Sequence, residues 1–260
     1  MTDVAAAANI IAAARRARTP LGPLPAAPRD EVAGYRVQDR VHALLAKDFG
    51  AQVGYKIGCT SAVMQAYLGI TNPGGGGIYA SGVYDSGVSL RTADYVRVGV
   101  ECEIGIRLDR DLVATSERFT AENIVDAIDA YLPAIEIVDD RYTDWRTLGA
   151  PTLIADDFFA AGCVLGDPLP SAVPLDLLDV VGHAVINGVE VGRGTGADVL
   201  GHPHNALAWL ANNLARQGKT LRAGEIVLTG SITQVAWLAP GDTEVVMELA
   251  GLGTVEVEFR

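Results

Sequence analysis

Residues 95–108 alternate apolar residues with polar or small ones without a break. Because successive side chains of a β-strand point to opposite faces, this period of two predicts one strand. Its apolar face would carry Val96, Val98, Val100, Cys102, Ile104, Ile106 and Leu108. The other face would carry Glu101 and Glu103 between Gly99 and Gly105. The alternation therefore places two carboxylates side by side on the less apolar face.

These two acids repel each other unless something offsets their charge. At positions i and i+2 of a strand they are roughly 7 Å apart at Cα, a repulsion on the order of 2 kcal/mol at an effective dielectric of about 20. Water on a half-exposed strand would offset it, and so would a divalent cation, for which the flanking glycines leave room. A third acid, Glu136, interrupts the β-branched run at residues 133–139. Three carboxylates are the surroundings that Mg²⁺ or Mn²⁺ prefers.

The composition is that of a globular protein, with 49% hydrophobic and 20% charged residues among 260. We expect a single domain over residues 1–260, with a helical segment at 1–50 and a β-rich catalytic part at 51–260. The formal net charge of −12 opposes binding to nucleic-acid phosphates. No stretch is long and apolar enough to span a membrane. We therefore expect neither nucleic acid nor membrane as a partner.

The cysteines indicate a reduced, cytoplasmic protein, because Cys59, Cys102 and Cys163 are widely spaced and form no C-x-x-C pair. The alanine-rich start differs from a secretory signal, since Asp3 precedes its apolar part. We interpret it as an amphipathic helix capped by Thr2.

Helix-capping and turn-forming residues predict several further helices and strands. Asp30 would cap a second helix that turns inward Val32, Tyr35, Val41, Leu44 and Leu45. His42 is expected on the flank of this helix and not as a metal ligand. Thr120 would cap a helix over residues 121–132, and Pro203 would begin another that ends near Gly218. Residues 225–231, 243–249 and 254–259 are predicted strands.

Lys56 lies between Tyr55 and Ile57 in a short predicted strand at residues 53–61. An exposed surface lysine is one interpretation. Alternatively, partial desolvation would lower its pKa and make it available as an acid or base.

The glycine run at residues 72–77 lacks the strand, G-x-G-x-x-G and helix order of a dinucleotide site. We predict a mobile loop or lid formed by Gly74, Gly75, Gly76 and Gly77.

Taken together, five segments resemble the branch of the fumarylacetoacetate hydrolase superfamily that contains 2-keto-4-pentenoate hydratase and 4-oxalocrotonate decarboxylase. They are YKIGCTS (55–61), VECEI (100–104), AIEIVDDR (134–141), HNALAWLANNL (204–214) and LTGSI (228–232). The resemblance covers about residues 31–260 and implies an α+β fold with a mixed, curved β-roll around a metal.

The resemblance also implies roles for individual residues. Glu101, Glu103 and Glu136 would ligate Mg²⁺ or Mn²⁺, and Lys56 would act as an acid or base. The segment Thr229, Gly230 and Ser231 would donate to a substrate carboxylate, and Asp157 and Phe159 would border the substrate. The substrate would be a small 2-oxo or 2-hydroxydienoic acid from the catabolism of aromatic-type compounds. A homo-oligomer is expected, alone or with a paralogous subunit.

The chain departs from the hydratase pattern in two ways: the pattern has an acid where this chain has Gly74, and small serines where an ungapped match gives Phe159 and Ala160. We expect metal binding to survive these changes and hydration of the dienoate to be slowed. Three functions stay open: a hydratase, a decarboxylase or C–C hydrolase on the same site, and a metal-binding partner subunit without turnover. A hydrolase would use a His–Glu pair, yet His42 is the only histidine before residue 183, which disfavours the hydrolase.

Overall fold

The computed structural model describes residues 3–260 and shows an α+β fold of helices with two curved, mixed sheets. The helices are α1 (Val4–Ala17), α2 (Glu31–Phe49), α3 (Ala62–Leu68), α4 (Ala150–Ala155) and α5 (Pro203–Arg216). Thr2 lies outside the described residues. Asp3 occupies the N-cap of α1, where its side chain accepts a hydrogen bond from Ala6 N.

The strands of the described residues are β1 (Gln52–Gly58), β2 (Gly74–Tyr79), β3 (Val83–Asp85), β4 (Val88–Leu90), β5 (Val98–Leu108), β6 (Ile128–Asp139), β7 (Ala160–Leu165), β8 (Leu169–Pro170), β9 (Val181–Ile186), β10 (Val189–Thr195), β11 (Ile226–Ser231), β12 (Ala236–Trp237), β13 (Glu244–Leu249) and β14 (Gly253–Phe259). The larger sheet has the order β2-β1-β11-β5-β6-β7-β3, with β12 on β5 and β8 on β6. The smaller sheet has the order β10-β9-β13-β14-β4.

β5 lies at the centre of the larger sheet and confirms the strand predicted from the alternation, with a start at Val98 instead of residue 95. Its apolar face is buried in the main core throughout. The opposite face carries the acids, as the period of two requires. The burial of one complete face holds the register of this strand, because a slip by one residue would place the acids in the core.

The glycine run is a strand and not a lid. Gly74–Tyr79 forms β2, which is buried along its length and pairs antiparallel with β1. The glycines are needed for close packing, because a Cβ on Gly76 would lie 2.8 Å from Asp157 O and one on Gly77 2.6 Å from His42 Cε1. The prediction of mobility for Gly74, Gly75, Gly76 and Gly77 is therefore wrong.

The helix predicted for residues 121–132 is also wrong. Thr120 does accept a hydrogen bond from Asn123 N, but the chain then makes a short 3₁₀ turn and enters β6 at Ile128. β6 pairs with β5 on one side and with β7 and β8 on the other. A strand buried on both faces is apolar without alternation, and such a run imitates a buried helix in sequence.

The N-terminal helices form a second core against α4 and the segment that follows it. Asp30 caps α2 through a hydrogen bond from Ala33 N, as predicted. Tyr35, Val41 and Leu45 are buried, whereas Val32 is 63% exposed and its predicted inward orientation is wrong.

α5 and the three C-terminal strands confirm their predictions, although β11 joins the larger sheet while β13 and β14 join the smaller one. No helix within residues 3–260 combines the length and apolar character needed to cross a bilayer.

Candidate metal centre and active site

Three glutamates converge on one face of the larger sheet. Glu101 and Glu136 are direct partners across the antiparallel strands β5 and β6, and Glu103 follows two residues after Glu101 on β5. One carboxylate oxygen from each lies within 4.8 Å of the other two. Glu103 and Glu136 are fully buried, whereas Glu101 is partly exposed and forms the open side of the cluster.

The clustered carboxylates favour the binding of a cation. Burial and the charge of Glu136 raise the pKa of Glu101 to about 7, against the lowering effect of Lys56. Burial and the neighbouring glutamates likewise raise the pKa of Glu103. The buried oxygens Glu103 Oε1 and Glu136 Oε2 accept no hydrogen bond from an N–H or hydroxyl group of residues 3–260. Buried carboxylate oxygens without donors fit a hard divalent cation, which would satisfy them and favour their charged form.

Lys56 is buried beside the three acids. Its Nζ lies 2.9 Å from Glu136 Oε1, and the side chain points from β1 into the same space. The surface interpretation is therefore wrong. Burial lowers the pKa of Lys56, but the charges of Glu136, Glu101 and Glu103 outweigh it and hold the pKa above its ordinary value. The predicted lowering of this pKa is thus wrong for the protein without a cation, since a desolvated lysine among three carboxylates stays charged.

The segment Thr229, Gly230 and Ser231 ends β11 next to the cluster. Gly230 N donates to Glu103 Oε2 at 2.8 Å, and the Thr229 hydroxyl donates to Ile104 O at 2.8 Å. Gly230 has φ +116° and a Cβ there would lie 2.6 Å from Thr60 Oγ1, so glycine is required. The segment orients the Glu103 carboxylate, and its donation to a substrate stays a prediction.

Asp157 is completely buried, and neighbouring protein groups bind its carboxylate. Its carboxylate accepts hydrogen bonds from Arg15 Nη1 at 2.8 Å and Gly77 N at 2.9 Å, and it lies 2.8 Å from His42 Nε2. Although burial would raise the pKa of Asp157, the interaction with His42 and the charge of Arg15 hold it below its usual range. These bonds give Asp157 a positioning role, and its contact with substrate stays a prediction.

Phe158 lies against Gly58 and Gly74 near Lys56, whereas the ring of Phe159 packs elsewhere. The Phe159 ring packs edge-on against Tyr142 and Trp145, at centroid distances of 5.0 and 5.8 Å. The Phe158 ring is 3% exposed and lies over Gly74. The ungapped match predicts Phe159 instead. Sequence spacing alone does not show which way a side chain points in an irregular segment.

Arg15 and Arg141 are the parts of the site that sequence reasoning missed. Arg141 donates to Asp156 Oδ2 at 2.8 Å, and Arg15 Nε lies 3.6 Å from Asp156 Oδ1. Both guanidinium groups are buried, so this network anchors the chain on either side of Phe158. Arg141 stood in a motif that suggested a role, whereas Arg15 on α1 had no local signal.

A curved mixed sheet with three converging carboxylates beside a buried lysine defines a divalent-metal enzyme site. Residues 80–260 match the family model described as fumarylacetoacetate (FAA) hydrolase C-terminal. The chain belongs to the fumarylacetoacetate hydrolase superfamily, in the branch of 2-keto-4-pentenoate hydratase and 4-oxalocrotonate decarboxylase.

Named relatives cover most of the chain. The 2-keto-4-pentenoate hydratase of Burkholderia vietnamiensis is 35% identical over 230 residues, which are 88% of this chain and 86% of that protein. The 2-hydroxyhexa-2,4-dienoate hydratase of Comamonas testosteroni is 35% identical over 209 residues, 80% of this chain and 78% of that protein.

A solved structure shares the fold over nearly the full length. It is 4-oxalocrotonate decarboxylase from Pseudomonas putida G7, complexed with magnesium and adipate, with a TM-score of 0.91 and 27% identity. The match covers 99% of this chain and 97% of that chain. The same decarboxylase was also solved with calcium and acetate. A divalent cation is thus the cofactor that fits the three-glutamate cluster.

Proposed function

We propose that this chain is a Mg²⁺-dependent hydratase of 2-hydroxy-2,4-dienoic acids such as 2-hydroxypenta-2,4-dienoate, in the catabolism of aromatic-type compounds. The observation that carries the proposal is the Lys56 ammonium 2.9 Å from Glu136, inside the cluster of three carboxylates. Hydratases among the relatives support the choice of reaction. Mn²⁺ is the alternative ion, since both suit oxygen ligands.

In this proposal, Glu101, Glu103 and Glu136 hold the cation. When bound, the cation supplies Lewis-acid stabilisation of negative charge on the substrate oxygens. With Lys56 as the acid–base group, the enol proton of the substrate moves to C5, and water then adds its hydroxyl group at C4 and its proton at C3. Glu136 holds the Lys56 ammonium in position through their ion pair, and Gly230 N holds the Glu103 carboxylate. Thr229 and Ser231 border the bound substrate carboxylate.

A decarboxylase of a related 2-oxo acid is the second candidate. It is favoured by the structural similarity to 4-oxalocrotonate decarboxylase over 99% of this chain. Both reactions use a metal-chelated 2-oxo acid and a proton donor, so the cluster serves either one.

One turnover experiment separates these functions. The purified protein with Mg²⁺ is incubated with a panel of 2-hydroxydienoic and unsaturated 2-oxo acids, and products are followed by NMR. A 4-hydroxy-2-oxo acid product supports the hydratase, and release of CO₂ supports the decarboxylase. Absence of turnover across the panel, with Mg²⁺ bound, would reject both and favour a non-catalytic metal-binding subunit.

We also propose that residues 1–260 act as one domain. Arg15 on the N-terminal helix α1 bonds to Asp157 and to Ala160 O of the β-rich part. Gln38 on α2 donates to Gly75 O of β2 at 2.8 Å. Buried bonds of this kind join the helical segment to the sheet. One cooperative unfolding transition would support this proposal, and two separate transitions would contradict it.

We further propose a cytoplasmic homo-oligomer. The free thiols of Cys59, Cys102 and Cys163 suit a reducing compartment. Val189 and Val191 are 64% and 50% exposed on β10, which is an edge strand of the smaller sheet. Exposed apolar residues on an open edge favour association. A monomer by light scattering would contradict the oligomer.

A further inference from the structure

We propose that Phe158 sets the upper limit on the size of the group that a substrate can carry beside Lys56. This inference rests on the proposed function only in taking a metal-chelating 2-oxo or 2-hydroxydienoic acid as the ligand. It assigns to Phe158 the preference for a short, uncharged end of that acid over a bulky one.

The ring of Phe158 lies over a pair of glycines. Gly58 at the end of β1 and Gly74 at the start of β2 are direct partners in the antiparallel ladder. A Cβ on Gly74 would lie 2.8 Å from both Cδ2 and Cζ of Phe158, and one on Gly58 would lie 3.4 Å from its Cγ. The two glycines therefore leave a space that the ring fills.

This filled space adjoins the proposed acid–base group. The same Cβ position on Gly58 is 3.5 Å from Lys56 Nζ and 3.3 Å from Phe158 Cβ. The ammonium and the phenyl side chain thus face one small volume from two directions. A substrate whose carbon chain reaches Lys56 along the side of Gly58 meets Phe158 at its side or end. The contact there is apolar and offers no partner to a charged substituent.

The backbone holds the ring in this place. Asp157, Phe158 and Phe159 all have positive φ, at 58°, 46° and 67°. Such a conformation is unfavourable for residues with a Cβ and persists only where the surroundings enforce it.

Hydrogen bonds before and after Phe158 hold the backbone in this conformation. Before it, the Asp157 carboxylate is bound by Arg15 and Gly77 N. After it, Arg141 donates to Phe159 O at 3.1 Å and to Ala160 O at 3.0 Å. Phe158 is therefore a fixed boundary and not a mobile side chain.

The test measures binding of unreactive ligands, so that it does not depend on turnover. Calorimetry in saturating Mg²⁺ compares 2-oxopentanoate with 2-oxo-5-phenylpentanoate, which share the chelating end and differ in the tail. In a well-packed apolar site one extra methylene already changes affinity by about 10–200-fold. We expect the unmodified protein to prefer the short acid by at least about tenfold, and Phe158→Ala to abolish that preference.

Phe159→Ala is the matched control, because it removes an adjacent phenyl group that packs on Tyr142 and Trp145 instead. It should leave the ratio of the two dissociation constants unchanged. Phe158→Leu, which keeps an apolar side chain, should give an intermediate ratio and serves where the alanine variant does not fold. Thermal unfolding and Mg²⁺ affinity verify that each variant is intact.

An unchanged ratio in folded, Mg²⁺-binding Phe158→Ala and Phe158→Leu would overturn the inference while leaving the proposed hydratase standing. A changed ratio without turnover of any dienoate would support the inference and count against the hydratase. If neither 2-oxo acid binds in the presence of Mg²⁺, both the role of Phe158 and the proposed hydratase are wrong.

Discussion

Glu101 and Glu136 face each other as direct partners across β5 and β6, although they belong to distant parts of the chain. With Glu103 they form a cluster of like charges that includes buried oxygens with no hydrogen-bond donor among residues 3–260. This relationship makes cation binding the main electrostatic requirement of the site.

Replacement of Glu101, Glu103 or Glu136 by Gln is expected to weaken Mg²⁺ binding by more than about 100-fold, because loss of a group that only orients a ligand already costs about 10–100-fold. Each change removes a charged oxygen from a hard cation. Calorimetric titration measures the affinity, with the exposed Glu248→Gln as control. Unchanged affinity in all three variants would refute the ligand assignment.

Lys56→Met should keep the fold and the metal but lose most proton exchange at C3 or C5 of a bound 2-oxo acid. Loss of the ammonium removes the group that lies 2.9 Å from Glu136 and borders the cluster. General acid–base catalysis of this kind contributes about 10²–10⁴-fold in rate. Deuterium wash-in followed by NMR measures it, with the exposed Lys47→Met as control. Undiminished exchange would exclude Lys56 as the acid or base.

The affinity for Mg²⁺ should rise as the pH rises through about 7. Because the pKa of Glu101 is raised to about 7, Mg²⁺ must displace a proton below that pH. This competition costs on the order of tenfold in affinity per pH unit for one proton. Calorimetry between pH 5.5 and about 8 measures the slope. A flat affinity over this range would contradict the raised pKa.

The same shift predicts how the metal-free protein responds to pH. The folded-state pKa of Glu101 lies above its usual 4.5, so folding favours the protonated form. This contribution to stability is complete below about pH 4.5 and is lost as the pH rises through about 7. Glu101→Gln should show a smaller loss across that window in urea unfolding of the metal-free protein.

Gly74→Ala should destabilise the protein by roughly 1–3 kcal/mol, because the added methyl overlaps the Phe158 ring. Adding Phe158→Ala should relieve part of that cost, which gives a coupling energy of about 0.5–3 kcal/mol between the two positions. Urea unfolding of the four proteins measures the cycle. Gly22→Ala is the control, since its added Cβ makes an ordinary contact with Thr143 Oγ1 at 3.8 Å. Additive costs would show that the two residues do not compete for one space.

This packing also changes which variant should gain hydration. The hydratase pattern suggested Gly74→Asp with Phe159→Ser, but Phe159 packs away from Gly74. Room for a side chain at Gly74 requires a smaller Phe158, so Gly74→Asp with Phe158→Ser is the combination that we expect to raise the hydration rate. The combination with Phe159→Ser should not raise it.

Local sequence patterns predict the elements that bury only one face. The alternation of β5, the Asp30 cap of α2 and the Pro203 start of α5 each leave a periodic or capping signal in sequence. The same signals do not identify strands that are buried on both faces. Sequence pattern predicts a helix where residues 128–132 form the first part of β6, and a lid at residues 74–77 where β2 begins, because neither segment shows which neighbours cover it.

By itself, the sequence determined the chemistry that this protein carries: three acids on two strands, a lysine in a third, and motifs of one superfamily. Only the tertiary structure decided how these groups meet, since the pairing of Glu101 with Glu136 and the bond from Arg15 to Asp157 join residues far apart in the chain. It also decided that Phe158 and not Phe159 lies against Gly58 and Gly74. The direction of a side chain in a segment of positive φ depends on buried partners that local sequence does not specify.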